Sequence, residues 1–448
     1  MLVLSTDFKN KLRNILSLMI PIFITQLAIM GMNFVDTVMS GNASANDLAG
    51  VAMGSNLWMP IFTGINGILL ALVPIIAHLR GANNVKDLPK AVFNGIVLAI
   101  ALGIIIIAIG YMVLNDIFAL MELTPIVHSI AVDYLRAISF GIIPLFITAI
   151  LRSFVDTMGF TRMTMRLFLL TLPVNVFLNY VLIFGKFGAP RLGGVGAGYA
   201  TAITCWLILF AFVVLIKKFS VLKEYRIFTW YKPSWKNIKE HLSIGIPMGT
   251  SIFFETSIFG VVAFFIAKFG TAAIAAHQIA MSFTSLLYML PLSFSFALTI
   301  LVDTEVGAKR YKEAAAYGRT GIISNWCIAL CFVILLLLFR EYIGRLFGAE
   351  GQIMELAKNF LFYAAFFQLL DATATPIQGI LRGYKDVKLT FYISLTSYWV
   401  VCLPLGYFLD VYGGQGAYSY WQGLIIGLLF SAVLLVLRLK RIQNKFQN

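Results

Sequence analysis

The stretch GANNVKDLPKAVFNG, residues 81–95, returns 226 positions later as GAKRYKEAAAYGRTG, residues 307–321. Gly81-Ala82 falls on Gly307-Ala308, Lys86-Asp87 on Lys312-Glu313 and Gly95 on Gly321, all without a gap. The same shift carries Pro21 onto Pro247. Further on, a shift of 230 lays Leu151-Arg152 on Leu381-Arg382 and Asp156 on Asp386, and a shift of 231 lays Leu172-Pro173 on Leu403-Pro404. Matches kept in one order over such lengths identify two copies of one unit, the internal repeat common among transporters.

Each copy holds six apolar runs of about 20 residues, the length that crosses a bilayer core. The first set lies near 15–39, 50–79, 91–114, 129–151, 163–184 and 194–216. The second lies near 242–267, 273–302, 316–339, 355–380, 389–410 and 420–438. The expected fold is an all-α membrane protein of twelve transmembrane helices in two pseudo-symmetric six-helix lobes. Residues 1–216 form the first lobe and 242–448 the second, with the basic, aromatic segment 217–241 between them as a cytoplasmic linker. Six is even, so both copies begin on the same side and are related by an axis along the membrane normal. A transporter built this way binds cargo between its halves and rocks them.

Composition agrees. Of 448 residues, 60% are hydrophobic and 12% charged, against about 45–50% and about 25% in soluble domains. A net charge of +14 could suggest nucleic acid, but the distribution of the charge answers otherwise. With the amino terminus inside, 27 of the 34 Lys and Arg fall in cytoplasmic segments, as the positive-inside rule requires. The expected location is the bacterial inner membrane, multi-pass, with both termini cytoplasmic and no nucleic-acid partner. Cys205, Cys327, Cys331 and Cys402 all lie in apolar stretches without a C-x-x-C pair, so they read as small buried apolar residues. The charged start Asp7 to Arg13 leads into an apolar run broken by Pro21, a first span and not a cleaved signal.

A carboxylate inside a bilayer costs several kcal/mol and usually marks function. Asp36 lies late in span 1, Glu255 in mid-span 7 and Asp371 in mid-span 10. Across the repeat they face Val262, Ile29 and Gly141, so the common fold demands none of them. The plainer alternative for each is a satisfied polar group bridging two helices. Glu255 has Thr250, Ser251, Thr256 and Ser257 close in sequence, and Asp371 has Gln368, Thr373 and Thr375. Na⁺ takes oxygen ligands and a proton takes a carboxylate whose pKa burial raises, so these residues suit either ion. Gln26, Asn33 and Thr37 form a polar stripe beside Asp36, which lipid would not tolerate and a cavity would.

Other polar residues carry less. His277 and Gln278 open span 8, where a lone His reads as interfacial, and Tyr288 sits deeper. The pairs Arg152/Asp156 and Arg382/Asp386 are spaced i, i+4 at helix ends and occur in both copies, so they read as architecture. The chain has no G-x-x-x-x-G-K-[ST] phosphate loop, no H-E-x-x-H and no G-x-S-x-G, hence no motif for an enzyme or an ATP-driven pump. Transport would then draw on an ion gradient, with no cofactor.

The runs PIFITQLAIMGMNFVDTVMSG, LAGVAMGSNLW, GIPMGTSIFFETSIF and AAHQIA resemble the MATE (multidrug and toxic compound extrusion) family, most closely its bacterial NorM-type branch. The resemblance spans residues from about 10 to about 440. It implies a cation-coupled multidrug antiporter that exports organic cations in exchange for Na⁺ or H⁺ by alternating access. It assigns Glu255 and Asp371 to a cation-coupling site, as ligands of the metal if that ion is Na⁺, with Tyr288 beside them. It assigns Asp36, Asn175, Asn179, Thr201, Phe259 and Gln278 to substrate contact or a second cation site. Two positions depart from the family pattern: Asn179 stands where some branches carry an acid, and Phe367 where some carry a Tyr ligand.

The sequence thus leads to a Na⁺- or H⁺-coupled multidrug exporter, working as a monomer on small organic cations within membrane lipid. A flippase for lipid-linked precursors is the alternative within transport, and a membrane sensor or scaffold that transports nothing is the alternative outside it. A flippase would want a basic central cavity, whereas the mid-span charges here are acidic.

Overall fold

The computed structural model describes residues 2–121 and 123–447, with side chains over 7–121 and 123–446. Among the described residues the chain is helical, with no strand. Lipid leaves a backbone amide no water to bond, so each crossing must satisfy its own peptide groups as a helix. Among the described residues twelve helices are long and apolar enough to cross: α1 Asp7–Ala43, α2 Ala45–Gly81, α3 Val85–Ala119, α4 Pro125–Thr157, α5 Thr161–Phe184 and α6 Gly194–Lys218. The second six are α7 Trp235–Ala267, α8 Thr271–Gly307, α9 Tyr311–Leu346, α10 Gly351–Gly383, α11 Val387–Val411 and α12 Tyr418–Phe446. Every expected run is one of these helices, extended by polar residues at its ends.

The repeat is more regular in three dimensions than in sequence. Both ends of α2 and α8, and both ends of α4 and α10, lie 226 positions apart. The turns between helices agree. Asn83 and Lys309 both take positive φ, at 55° and 59°. Behind them Asn84 N–H donates to Leu79 O at 2.9 Å and Arg310 N–H to Glu305 O at 2.8 Å, the wrap that ends a helix with a left-handed residue. The α4 and α10 ends repeat the motif. Gly159 and Lys385 take φ of 94° and 58°, and Phe160 N–H and Asp386 N–H reach back to Val155 O and Leu381 O at 3.1 and 2.9 Å.

This overturns the shifts of 230 and 231 read from sequence. The structural mate of Arg382 is Asp156, that of Gln378 is Arg152, and that of Asp371 is Leu145 in place of the Gly141 read from sequence. The Leu-Arg and Asp matches came from sliding one helix a turn along the other, and a helix repeats its face after about 3.6 residues. Arg152 does pair with Asp156 at 3.3 Å. Asp386 instead takes Arg438 of α12 through two hydrogen bonds of 2.5 and 3.0 Å. The expectation that Arg382 and Asp386 form a shared architectural pair is therefore corrected.

The chain divides into two compact units, Pro21–Gly249 and Met1–Ile20 with Thr250–Asn448. The division by apolar runs, into 1–216, 217–241 and 242–448, assigns α1 and α7 whole. In the structure each crosses from one unit to the other near its repeated proline, Pro21 or Pro247. The crossing ends are anchored. In the second unit Lys11 is buried, ion-paired with Asp7 and with Glu313 at 2.9 Å, while Asn14 donates to the Tyr317 hydroxyl at 2.9 Å. In the first unit the buried His241 ring lies 3.0 Å from Ile68 O, just before α2 is interrupted at residues 70–71. Asn94 Oδ1 accepts from Ser234 N–H at 2.8 Å, fixing the end of the 217–241 segment.

Two helices depart from the regular form for a local reason. In α11 the turn Thr396–Cys402 is π-helical and leads directly into Pro404. A proline ring collides with the carbonyl four residues earlier and offers no N–H, and a wider turn relieves both. In the turn after α7, Lys268 ion-pairs with Asp410 and lies over the Phe269 and Tyr420 rings at 5.0 and 5.5 Å. The hydrogen bond to Asp410 holds the Lys268 ammonium above its usual 10.5. A raised lysine stabilises the fold below its ordinary value and loses that contribution as pH climbs through the folded value. The pair is partly exposed and screened, so its worth is at most about 1 kcal/mol. Asp410→Asn is expected to shift the unfolding midpoint slightly at neutral pH, with the gap to the parent protein closing in strong alkali. A gap that widened in alkali would contradict this reading.

The cysteine expectation holds for Cys205 and Cys402, which are buried, and fails for Cys327 and Cys331, which are exposed. Both lie on an outward face of α9, where lipid accepts a thiol as readily as a core does.

Candidate functional site

In the first unit, Asp36 of α1 is buried and its two carboxylate oxygens have separate partners. Asn179 Nδ2 donates to Oδ1 at 2.5 Å and Thr201 Oγ1 to Oδ2 at 2.7 Å. Asn179 Nδ2 also donates to Asn175 Oδ1 at 3.2 Å. Asn175 and Asn179 stand one turn apart on α5, so both amides present one face to α1. Asn179 Oδ1 is buried with no hydrogen bond among the described residues. The residues that the resemblance grouped around Asp36 thus meet, with one oxygen left over. The stripe expected beside Asp36 divides: Asn33 and Thr37 are exposed, and Gln26 accepts from Arg152 Nη2 at 3.1 Å.

In the second unit, Glu255 of α7, Asp371 of α10 and Tyr288 of α8 lie close enough to interact electrostatically. Glu255 Oε1 accepts from Gln378 Nε2 at 2.9 Å and from Ser394 Oγ at 2.7 Å. Asp371 Oδ1 accepts from Thr375 Oγ1 at 2.7 Å. Asp371 Oδ2 and Gln368 Oε1, one turn apart, are buried and hydrogen-bond to nothing among the described residues. Leaving such an oxygen dry costs about 1–3 kcal/mol, more if charged, so the pair is suited to a small cation. No group of three His, Cys, Asp or Glu able to hold a metal ion exists among the described residues. A site here would rest on two carboxylates with amide and hydroxyl oxygens, the ligand set of a hard monovalent ion.

Several expected neighbours of the acids are elsewhere. Thr256 and Ser257 hydroxyls donate to carbonyls of their own helix, to Ile252 O at 2.9 Å and Phe253 O at 2.5 Å. Thr373 accepts from Trp326 Nε1 at 2.6 Å. Gln278 is exposed. His277 is buried: its Nδ1 accepts from Trp421 Nε1 at 3.1 Å, and the Phe360 ring lies 6.1 Å away. Phe259 packs edge-on against Phe367 at 5.9 Å, which in turn meets Trp421 at 6.4 Å. An aromatic wall therefore adjoins the acids where the family pattern sometimes has a Tyr ligand.

Three partners went unread. Gln368, Asp371, Thr375, Gln378 and Arg382 follow the i, i+3, i+4 spacing of one helix face, so Gln378 and Arg382 could have been found by extending the stripe. Ser394 belongs to α11, and no local pattern announced its approach to Glu255. Arg382 is buried and donates through Nη2 to Gln378 Oε1 at 3.4 Å.

This arrangement of helices is known from solved proteins. The eukaryotic MATE transporter AtDTX14 superposes with a TM-score of 0.88 at 19% identity, covering 98% of this chain and 99% of that one. An outward-facing multidrug resistance MATE family transporter of the MOP superfamily matches with a TM-score of 0.88 at 18% identity, covering 98% and 97%. These likenesses show that the chain shares its twelve-helix fold with multi-pass membrane transporters. The MatE family model matches residues 21–181 and again 247–408, once in each copy of the repeat. A probable multidrug resistance protein NorM of Halalkalibacterium halodurans is 50% identical over 96% of this chain and 94% of its own length. The corresponding protein of Bacillus subtilis is 48% identical over 98% and 97%. The chain belongs to the MatE family.

Proposed function

We propose that this protein is a multidrug efflux antiporter in which entry of Na⁺ or H⁺ at Glu255 and Asp371 drives the export of small organic cations. The observation that carries the reading is the pair of acids in one unit, Glu255 half-buried and Asp371 buried, with Asp371 Oδ2 and Gln368 Oε1 unpartnered among the described residues. The names of the relatives support a drug cargo. Acids, not bases, in mid-span favour cationic cargo over the pyrophosphate head of a lipid-linked precursor. Competition supplies the coupling: drug and ion favour the same negative charge, and each biases a different facing of the transporter. Phe259, Phe367 and Tyr288 offer ring faces to an organic cation. Asp36 with Asn175, Asn179 and Thr201 forms the second polar site, whose one acid suits cation or substrate contact. In this reading the protein works as a monomer in the bacterial inner membrane with both termini cytoplasmic.

The test is ethidium efflux from proteoliposomes under a Na⁺ gradient and a pH gradient imposed separately. Efflux under one gradient establishes antiport and names the ion. No efflux under either, from protein shown to be folded, rejects the reading.

A further inference from the structure

Arg382 is the one feature of the second site that neither the repeat nor the coupling reading uses. Its position is held by Asp156 in the first copy, where Asp156 neutralises Arg152 one turn earlier at 3.3 Å. In the second copy the same two positions are Gln378 and Arg382. The carboxylate has gone from the helix end, and a guanidinium stands in its place. Its sequence neighbour Asp386 cannot serve it, being held on both oxygens by Arg438. A buried guanidinium with no counter-charge costs several kcal/mol, so a partner must come from elsewhere in the unit.

Glu255 is that partner. Arg382 Nη2 donates to Gln378 Oε1 at 3.4 Å, and Gln378 Nε2 donates to Glu255 Oε1 at 2.9 Å. The amide thus passes one charge toward the other, and the two interact electrostatically. The groups facing Glu255 are Arg382, Gln378 and Asp371 from α10, Tyr288 from α8, Ser394 and Tyr398 from α11, and Ser251 from its own helix. Among the charged groups facing the site, two are carboxylates and one is a guanidinium. Asp371 lies eleven residues from Arg382 on the same helix, about 16 Å along its axis, and it keeps a free oxygen.

Resting on the coupling reading above, we propose that Arg382 is the built-in counter-charge of Glu255, relayed through Gln378, so that Asp371 alone requires a mobile cation and the site loads a single monovalent ion. Arg382 is a positioning and affinity-setting residue. It touches no cargo, and it fixes how many charges the site can accept. The first unit balances the same way, with Arg152 assigned to Asp156 and Asp36 left to amides and a hydroxyl.

Equilibrium binding of radioactive Na⁺ to the purified full chain, at about pH 9 where carboxylates are ionised, counts the charge directly. The parent protein is expected to bind one Na⁺ at this site and Asp371→Asn none. Adding Arg382→Gln to Asp371→Asn is expected to restore one, because Glu255 then lacks its guanidinium. Arg382→Gln alone is expected to bind two ions, or one at least about tenfold more tightly. Arg382→Lys keeps the charge and is expected to bind like the parent. A double variant that stays empty while folded, or an Arg382→Gln protein with the parent's count and affinity, overturns the proposal, as does a folded parent that binds no Na⁺. Should Arg382→Gln fail to fold by itself, the double variant still decides. Loss of ethidium efflux under both gradients in the parent protein would reject the coupling reading separately, since the ion count does not depend on drug movement.

Discussion

Replacing Glu255 by Gln, or Asp371 by Asn, is expected to lower cation-driven efflux by about 100-fold or more while leaving the protein folded. The size follows from what each change removes. An amide keeps the shape of the carboxylate and deletes its charge, and a charge in a low-dielectric site is worth several kcal/mol. Each 1.36 kcal/mol is about tenfold in rate. The carboxylates' hydrogen bonds survive in both variants, but Glu255→Gln also strips the buried Arg382 of its counter-charge and is expected to unfold at a lower temperature than Asp371→Asn. Gln378 and Ser394 reach Glu255 through one oxygen, which Gln retains. Thr375 reaches Asp371 the same way. Measured together, protein yield and ethidium efflux separate the two effects. Efflux within threefold or so of the parent in both variants would remove these acids from the mechanism.

Gly379→Val is expected to destabilise the second unit by about 3 kcal/mol or more. A Cβ at 379 would come within 3.0 Å of Ser295 O, Oγ and Cα, and backbone atoms cannot step aside as a flexible side-chain tip can. The carbonyl of Gly379 also accepts from Thr299 Oγ1 at 2.9 Å, which ties α8 to α10 at their closest approach. Small residues permit such contact between membrane helices, where packing and hydrogen bonds replace the hydrophobic drive. The first copy has Ser153 here, its hydroxyl bonded to its own helix at Ala149 O, 2.7 Å away. Gly379 adjoins Gln378, and a displaced α10 would carry the Glu255 site with it. Gly260→Ala is the control, since a Cβ there meets nothing within 4 Å. If heating in detergent leaves Gly379→Val as intact as the control, the close crossing does not have this importance.

Much of the fold was legible because lipid imposes one rule. Every spanning backbone must be helical, so twelve apolar runs become twelve helices whatever their packing. Much of the site was legible too. A mid-span acid is costly enough that Asp36, Glu255 and Asp371 identify themselves. Asn175 and Asn179 came from the resemblance, and their spacing of one turn fits the approach to Asp36. Ser394 was not legible, because its hydroxyl meets Glu255 from 139 positions further along the chain. Thr256 and Ser257 misled for the opposite reason: nearness in sequence on a helix often means bonding to one's own backbone. The partner of His277 was not legible either, because its place near a helix end says nothing of the Trp421 ring 144 positions away that bonds it.

Sequence by itself determined the membrane class, the twelve crossings, the doubled unit and the three acids, all properties set by local composition and by the cost of charge in hydrocarbon. It could not determine the register of the repeat at α4 and α10, because a helix slid by one turn presents nearly the same face, and four residues of shift imitate a match. Only the tertiary structure decided that, through the left-handed turns at Gly159 and Lys385 that mark equivalent ends. With the register set, Arg382 is the counterpart of Asp156 in the other copy, Asp386 pairs with Arg438, and the second site holds two carboxylates against one guanidinium. Charge balance inside a membrane is a property of what packs together in space, and separation along the chain does not encode it.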